Sequence, residues 1–244
     1  MTAADREAQL VAALADVERR IAGACDAAGR LPEEVTLVVV TKFFPASDVR
    51  LLAAAGVRHV AENRHQEAVE KREECDDLDL TWHFVGGLQS NKAGAVGGWA
   101  DVVQSVDRAK LVAPLGRAGQ ERASATGRPL DVLVQVNLDP GPAAEGEGGG
   151  RSGVRPRDAV TLACRVAATE GLQLRGVMAV APRDGDPRAA FARLSEVATD
   201  VRATVPDATW VSAGMSGDLE DAVAAGATHV RVGTAVLGNR PARG

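Results

Sequence analysis

From Val35 onward the sequence alternates short β-rich runs with helical stretches, and it does so eight times. The runs are VTLVVVT (35–41), VRHVAE (57–62), LTWHFVG (80–86), DVVQSV (101–106), PLDVLVQVN (129–137), LQLRGVMAV (172–180), ATWVSA (208–213) and THVRVG (228–233). Helix-like segments of roughly 10 to 20 residues separate them, the length that crossovers between parallel strands require. Eight such units in about 210 residues predict an α/β fold, a single (β/α)8 TIM barrel, with a doubly wound open sheet as the alternative. Upstream, Leu10, Leu14, Val17 and Ile21 recur at three- and four-residue spacing and Gly29 follows. That pattern predicts an extra N-terminal helix within residues 1–30, packed on the barrel. Residues 1–244 are thus expected to form one domain. LDPGPAAEGEGGGRSG (138–153) interrupts the rhythm after the fifth run and is expected to be a flexible Gly-rich loop on the C-terminal rim. It lacks the GxxxxGK[ST] pattern of a P-loop.

Composition narrows the partners. The 28 Lys+Arg against 33 Asp+Glu leave a net charge of −5 and no basic stripe for a nucleic-acid backbone. No run approaches the ~18 apolar residues that cross a bilayer. The start, MTAADREAQL, has no apolar segment of a secretory signal. Cys25, Cys75 and Cys164 are odd in number and lack CxxC spacing, so neither a disulfide framework nor a zinc site is expected, and a cytoplasmic location fits. No large exposed apolar surface can be inferred, so a monomer is expected. Tyr is absent, and the only lysines are Lys42, Lys71, Lys92 and Lys110, so candidate amine nucleophiles are few.

Lys42 follows the apolar run LVVV and precedes FFP, at the end of the first strand. An amine held between apolar neighbours loses solvation as a cation, which prepares it to condense with an aldehyde; a lysine that snorkels to water is the alternative. Lys71, in EKREE, is expected on a solvated helix face, and Lys110 is expected to be similarly exposed. Near the C-terminus, Gly214, Ser216 and Gly217 lie between a strand and a helix, and Gly233, Thr234 and Gly238 repeat the arrangement. Close backbone approach, hydroxyl donors and helix N-termini make the two loops a candidate phosphate cradle, where barrels often bind phosphate. Turn glycines, with Ser216 capping a helix beside Asp218 and Glu220, are the alternative. Arg231, between Val230 and Val232, should face the barrel interior, where it needs either a carboxylate or a ring nitrogen of a bound cofactor. Asn63, His83, Gln89, Ser90 and Asn91 fall at strand ends; His83 reads as a hydrogen-bonded interior histidine and QSN as a helix start.

Taken together, VVVTKFFPASDV, AENRHQEA, WHFVGGLQSNK, QSVDR, VLVQVN, RGVMAV, SAGMSGDLEDAV and VRVGTAVLG resemble, in order and spacing, the YggS/PROSC family of pyridoxal 5′-phosphate (PLP) homeostasis proteins, over roughly residues 8–240. The resemblance implies a barrel like the N-terminal domain of alanine racemase. It places Lys42 at the Schiff-base position, Ser216, Gly233 and Thr234 at the phosphate, Ser212 and Met215 alongside them, Arg231 at the pyridine nitrogen and Asn63 near the cofactor. The chain departs from the family pattern at Phe44, Arg151, Ala61, Arg64 and Gly87. The first two stand where lysines are usual, so a lysine relay at those positions is not expected.

The expected function is therefore to hold PLP and act in intracellular PLP homeostasis, with PLP-dependent apoenzymes as possible recipients and no robust catalysis. An arginine beside the pyridine nitrogen disfavours the proton that strengthens the electron sink, and no Tyr is present to act as a second base. Two rivals stand beside this: a PLP-dependent amino-acid racemase or lyase using His83 or Cys75 as second base, and a cofactor-free Schiff-base aldolase.

Overall fold

The computed structural model describes residues 2–139 and 152–239. Eight parallel strands close in sequence order: β1 (Thr36–Val40), β2 (His59–Glu62), β3 (Thr81–Phe84), β4 (Val102–Val106), β5 (Leu130–Val136), β6 (Leu172–Ala179), β7 (Trp210–Ser212) and β8 (His229–Val232). Closure is made by β1, which pairs in parallel with β2 (Val39 opposite Val60) and with β8 (Val38 opposite Arg231). The open-sheet alternative is thereby excluded.

The helices are α1 (Ala3–Ala28), α2 (Ala46–Ala54), α3 (His65–Glu73), α4 (Ala93–Gly97), α5 (Val112–Thr126), α6 (Ala159–Ala167), α7 (Pro187–Thr204), α8 (Leu219–Ala224) and α9 (Thr234–Leu237). The α4 and α8 segments are shorter than the spacing predicted, because part of each connection is spent on rim loops. The Gly-rich loop expected over 138–153 lies outside the described residues from 140 to 151, and so does Arg151.

Alternation along the strands sorts side chains into two layers. Val39, Val60, Val103, Val132, Val177 and Val230 pack outward beneath the helices against residues such as Leu52, Leu115 and Leu194. Inside the barrel a small apolar plug of Val102, Leu133 and Met178 is flanked by Trp210. Around that plug the buried polar side chains His83, Gln104, Ser212, His229 and Arg231 fill the interior. At Gly176 in β6 φ is +153°, and a Cβ there would meet the Trp210 carbonyl oxygen at 1.8 Å. Only glycine lets β6 and β7 approach this closely.

The expected N-terminal helix is present. Thr2 Oγ1 accepts from the Asp5 N–H (3.1 Å) while the Asp5 carboxylate accepts from the Thr2 N–H (2.9 Å), a capping box. Gly29 ends the helix at φ +64°. The buried stripe of Leu10, Leu14, Val17 and Ile21 turns α1 toward α8 and α9. Two ion pairs fasten it, Arg6 to Asp48 (2.6 Å) and Arg20 to Glu220 (2.7 Å).

Candidate functional site

The sequence-predicted positions gather at the C-terminal ends of four consecutive staves, β7, β8, β1 and β2. Lys42 follows β1 by two residues and is half-buried. Its Nζ lies 5.8 Å from the centre of the Phe43 ring, and the Arg64 guanidinium lies 5.1 Å from the same ring. Phe43 adopts φ +71°, a left-handed conformation unusual for a bulky side chain, and the turn is closed by Phe44 N–H donating to the Thr41 carbonyl (3.1 Å). Strain of this kind persists only where surrounding contacts impose it. Phe44 packs on the core, and its ring centre lies 5.7 Å from the Arg6 guanidinium.

One such contact corrects the sequence reading. Lys71 does not sit on a solvated helix face: its side chain is buried, its Nζ donates to the Thr41 carbonyl (2.9 Å), and it forms an ion pair with Glu62. Thr41 Oγ1 donates to the same Glu62 oxygen (2.7 Å). Burial raises the Glu62 carboxyl above its ordinary range despite Lys71 beside it, and its second oxygen has no hydrogen-bond partner among the described residues. The signal for Lys71 was available in the helical spacing of Ala68, Lys71 and Cys75, all three buried on one face.

On the other side of Lys42, the loops after β7 and β8 are joined directly. Ser216 Oγ accepts from Thr234 Oγ1 (3.1 Å) and from the Ala235 N–H (3.2 Å). Ser216 therefore caps the start of α9 from a neighbouring loop and not the start of α8, the alternative raised by the sequence. Gly233 packs closely on β1, where a Cβ would lie 3.3 Å from the Val40 carbonyl oxygen. Met215 is exposed and its N–H donates to Asp218 (2.6 Å).

Arg231 faces the interior as expected, and neither of its partners is a carboxylate. Its Nη1 donates to Ser212 Oγ (2.7 Å) and its Nη2 to the Ala179 carbonyl (2.8 Å). Burial pushes this guanidinium down to about 10, partly opposed by Asp218, so it stays charged at neutral pH. Ser212 Oγ donates to Gln104 Oε1 (2.7 Å), Gln104 Nε2 meets His83 Nδ1 (2.9 Å), and His83 Nε2 meets His59 Nδ1 (3.0 Å). Burial, with the nearby His59, His229 and Arg231, holds His83 well below its ordinary value, and burial brings His229 to about 3. Both interior imidazoles are neutral. Gln104 and His59 escaped the sequence reading, although each is a polar residue inside a predicted strand.

Asn63 follows β2, and Gly86 packs on its backbone, where a Cβ would meet the Asn63 carbonyl oxygen at 2.3 Å. Asn63 Oδ1 is buried and has no hydrogen-bond partner among the described residues. Beside it a cleft of about 510 Å³ opens between Asn63, Phe84, Leu88 and Lys92. The QSN segment begins a 3₁₀ turn, Ser90–Lys92, as its residues suggested. Neither proposed second base reaches the rim: His83 is locked in the interior, and Cys75 is buried outside the barrel, its Sγ 3.9 Å from the Ala46 carbonyl and its thiol pushed up by burial.

Residues 20–241 match the family described as alanine racemase, N-terminal domain. The pyridoxal phosphate homeostasis protein of Mycobacterium tuberculosis H37Rv is 43% identical over 251 residues, covering 98% of this chain and 96% of the relative. This chain belongs to the pyridoxal phosphate homeostasis protein family. The Escherichia coli K12 member is 36% identical, covering 93% of this chain and 95% of its own length. Among solved structures, PipY of Synechococcus elongatus with PLP bound superposes with a TM-score of 0.78 at 36% identity, covering 94% of this chain and 100% of PipY. The family membership agrees with the resemblance read from the motifs.

Proposed function

We propose that this protein binds PLP covalently through Lys42 and acts in intracellular PLP homeostasis, holding the cofactor for PLP-dependent apoenzymes without robust catalysis of its own. The observation that carries this reading is Arg231, a buried cation whose partners among the described residues are a neutral hydroxyl and a carbonyl, on the strand next to the one that presents Lys42. The residues fit the group: an amine at the barrel mouth for the aldehyde, and the Ser216–Thr234 hydroxyl pair at the start of α9 for the phosphate. The orphaned Oδ1 of Asn63 borders the same rim. Ser212 orients Arg231, and Met215 borders Ser216. When bound, PLP supplies a reactive aldehyde and an electron-withdrawing ring. Arg231 offers hydrogen-bond donors and no acceptor, so it disfavours a proton at a ring nitrogen facing it.

The curated relatives carry homeostasis names, which supports the non-catalytic reading. The sequence contains no Tyr, and His83 and Cys75 lie away from the rim, so an opposed second base is not supplied by these residues. We take residues 1–244 as one cytoplasmic, monomeric barrel; among the described residues only Val11, Leu31 and Met215 are large exposed apolar side chains, and no helix is long and apolar enough to cross a membrane.

The test is spectroscopic. Incubation with PLP should give a visible absorption band that gel filtration does not remove, and Lys42→Ala should abolish it. A band that survives in Lys42→Ala would move the attachment elsewhere, and no band in the wild type would favour the cofactor-free aldolase. Incubating the loaded protein with L-amino acids in deuterated water should give Cα exchange no faster than free PLP; faster exchange would make it an enzyme.

A further inference from the structure

The guanidinium of Arg231 can only donate hydrogen bonds, and that fixes everything connected to it. Ser212 Oγ accepts from Arg231 Nη1 (2.7 Å), so its single proton goes to Gln104 Oε1 (2.7 Å). The Gln104 amide oxygen is then occupied, and its NH2 group is what faces His83 Nδ1 (2.9 Å). An Nδ1 that accepts leaves the proton of a neutral imidazole on Nε2, which donates to His59 Nδ1 (3.0 Å). His59 must in turn carry its proton on Nε2. His59 opens β2 at the N-terminal end of the barrel and is half-buried, so this chain of bonds runs from the layer below the rim to the opposite mouth.

We infer that Gln104 is a positioning residue for the cofactor site: it transmits one direction of hydrogen bonding between Arg231 and the His83–His59 pair, and so holds the guanidinium in the orientation it presents to the ring. Gln is suited to this, because it accepts on one side and donates on the other. A carboxylate of the same shape can only accept, and an aliphatic side chain of similar size does neither. Deleting the amide leaves Ser212 and His83 as buried groups without their partners, a change expected to loosen Arg231. The function of Gln104 rests on the reading of Arg231 as the partner of the ring nitrogen, whereas the direction of the chain does not.

The experiment uses the full-length protein, labelled with 15N and free of cofactor, at neutral pH. Wild-type His83 and His59 should both appear as Nε2–H tautomers. His65, whose Nδ1 accepts from Trp99 Nε1 (3.0 Å), provides an internal reference for that state. In Gln104→Glu, His83 should gain a proton on Nδ1 to meet the new carboxylate. A protonated His83 Nδ1 in the wild type, or an unprotonated one in folded Gln104→Glu, would overturn the inference. Loaded with PLP, Gln104→Glu should keep the visible band but shift its wavelength, and Gln104→Leu should release the cofactor about tenfold faster, the scale of one lost hydrogen bond. An unshifted band together with unchanged release in both folded variants would overturn the positioning role. If wild-type protein forms no band, the Lys42 reading fails instead, and the tautomer result still decides the direction of the chain.

Discussion

At the scale of single residues, Lys71 and Glu62 show how burial reverses what a local sequence suggests. EKREE is a run of charges, yet one of its members is drawn beneath the Lys42 turn by a carboxylate nine residues earlier. Removing one partner of a buried pair leaves a charge in a poor solvent. Lys71→Met should therefore lower stability by about 3–5 kcal/mol, with most of the loss recovered in Lys71→Met/Glu62→Gln, both measured by urea unfolding. Equal losses in the single and double variants would show that the pair is not coupled. Ser216 belongs to the same scale. Its hydroxyl joins two loops, so Ser216→Ala should weaken PLP binding about tenfold by equilibrium titration, with the Lys42 attachment still visible in the absorption spectrum. Unchanged affinity would remove Ser216 from the phosphate cradle.

Elements add constraints that no single side chain carries. The β6–β7 contact depends on the missing side chain at Gly176, where an added methyl would overlap the Trp210 carbonyl. Gly176→Ala combines an unfavourable φ with that overlap and should cost about 3 kcal/mol or more, seen as a fall in the urea midpoint. A midpoint like that of the wild type would mean that the two strands separate freely. The α1 helix is integral for a different reason: its apolar stripe covers α8 and α9, which frame the Ser216–Thr234 contact. Leu14→Ala should cost about 2–5 kcal/mol by the same measurement. A change under about 1 kcal/mol would show that α1 is only loosely attached, a result outside the range for a filled core site.

For the molecule as a whole, acid should be the weak direction. His229 is held at about 3 and His83 well below its ordinary value, while in the unfolded chain both return toward 6.5. Below about 6.5 the unfolded chain takes up protons that the folded chain refuses, so stability falls as pH drops. The slope approaches ~1.4 kcal/mol per pH unit for each such imidazole, and for His229 it extends down to about 3. Urea midpoints measured from pH 7 downward should decline steadily, and His229→Gln should flatten the decline. A flat profile in the wild type would mean that these rings become charged without unfolding the barrel.

Much of this was legible in the primary structure. Eight alternations of β-rich runs with helical stretches narrow the fold to a barrel or an open parallel sheet, the pairing of β1 with β8 decides for the barrel, and Leu10 to Ile21 specify α1. The positions of Lys42, Arg231, Ser216 and Thr234 at strand ends also follow from counting along the chain, since a barrel gathers those ends on one rim. What chain order could not supply was partnership across it. Whether Arg231 meets a carboxylate or a hydroxyl, whether Lys71 is wet or buried, and which way Gln104 turns are set by residues on other elements, from nine to 108 positions away. The Arg231 and Gln104 partnerships arise only when the sheet brings β4, β7 and β8 around one interior, and the burial of Lys71 only when α3 packs against β2, because hydrogen bonds and desolvation depend on distance in space and not on separation in sequence.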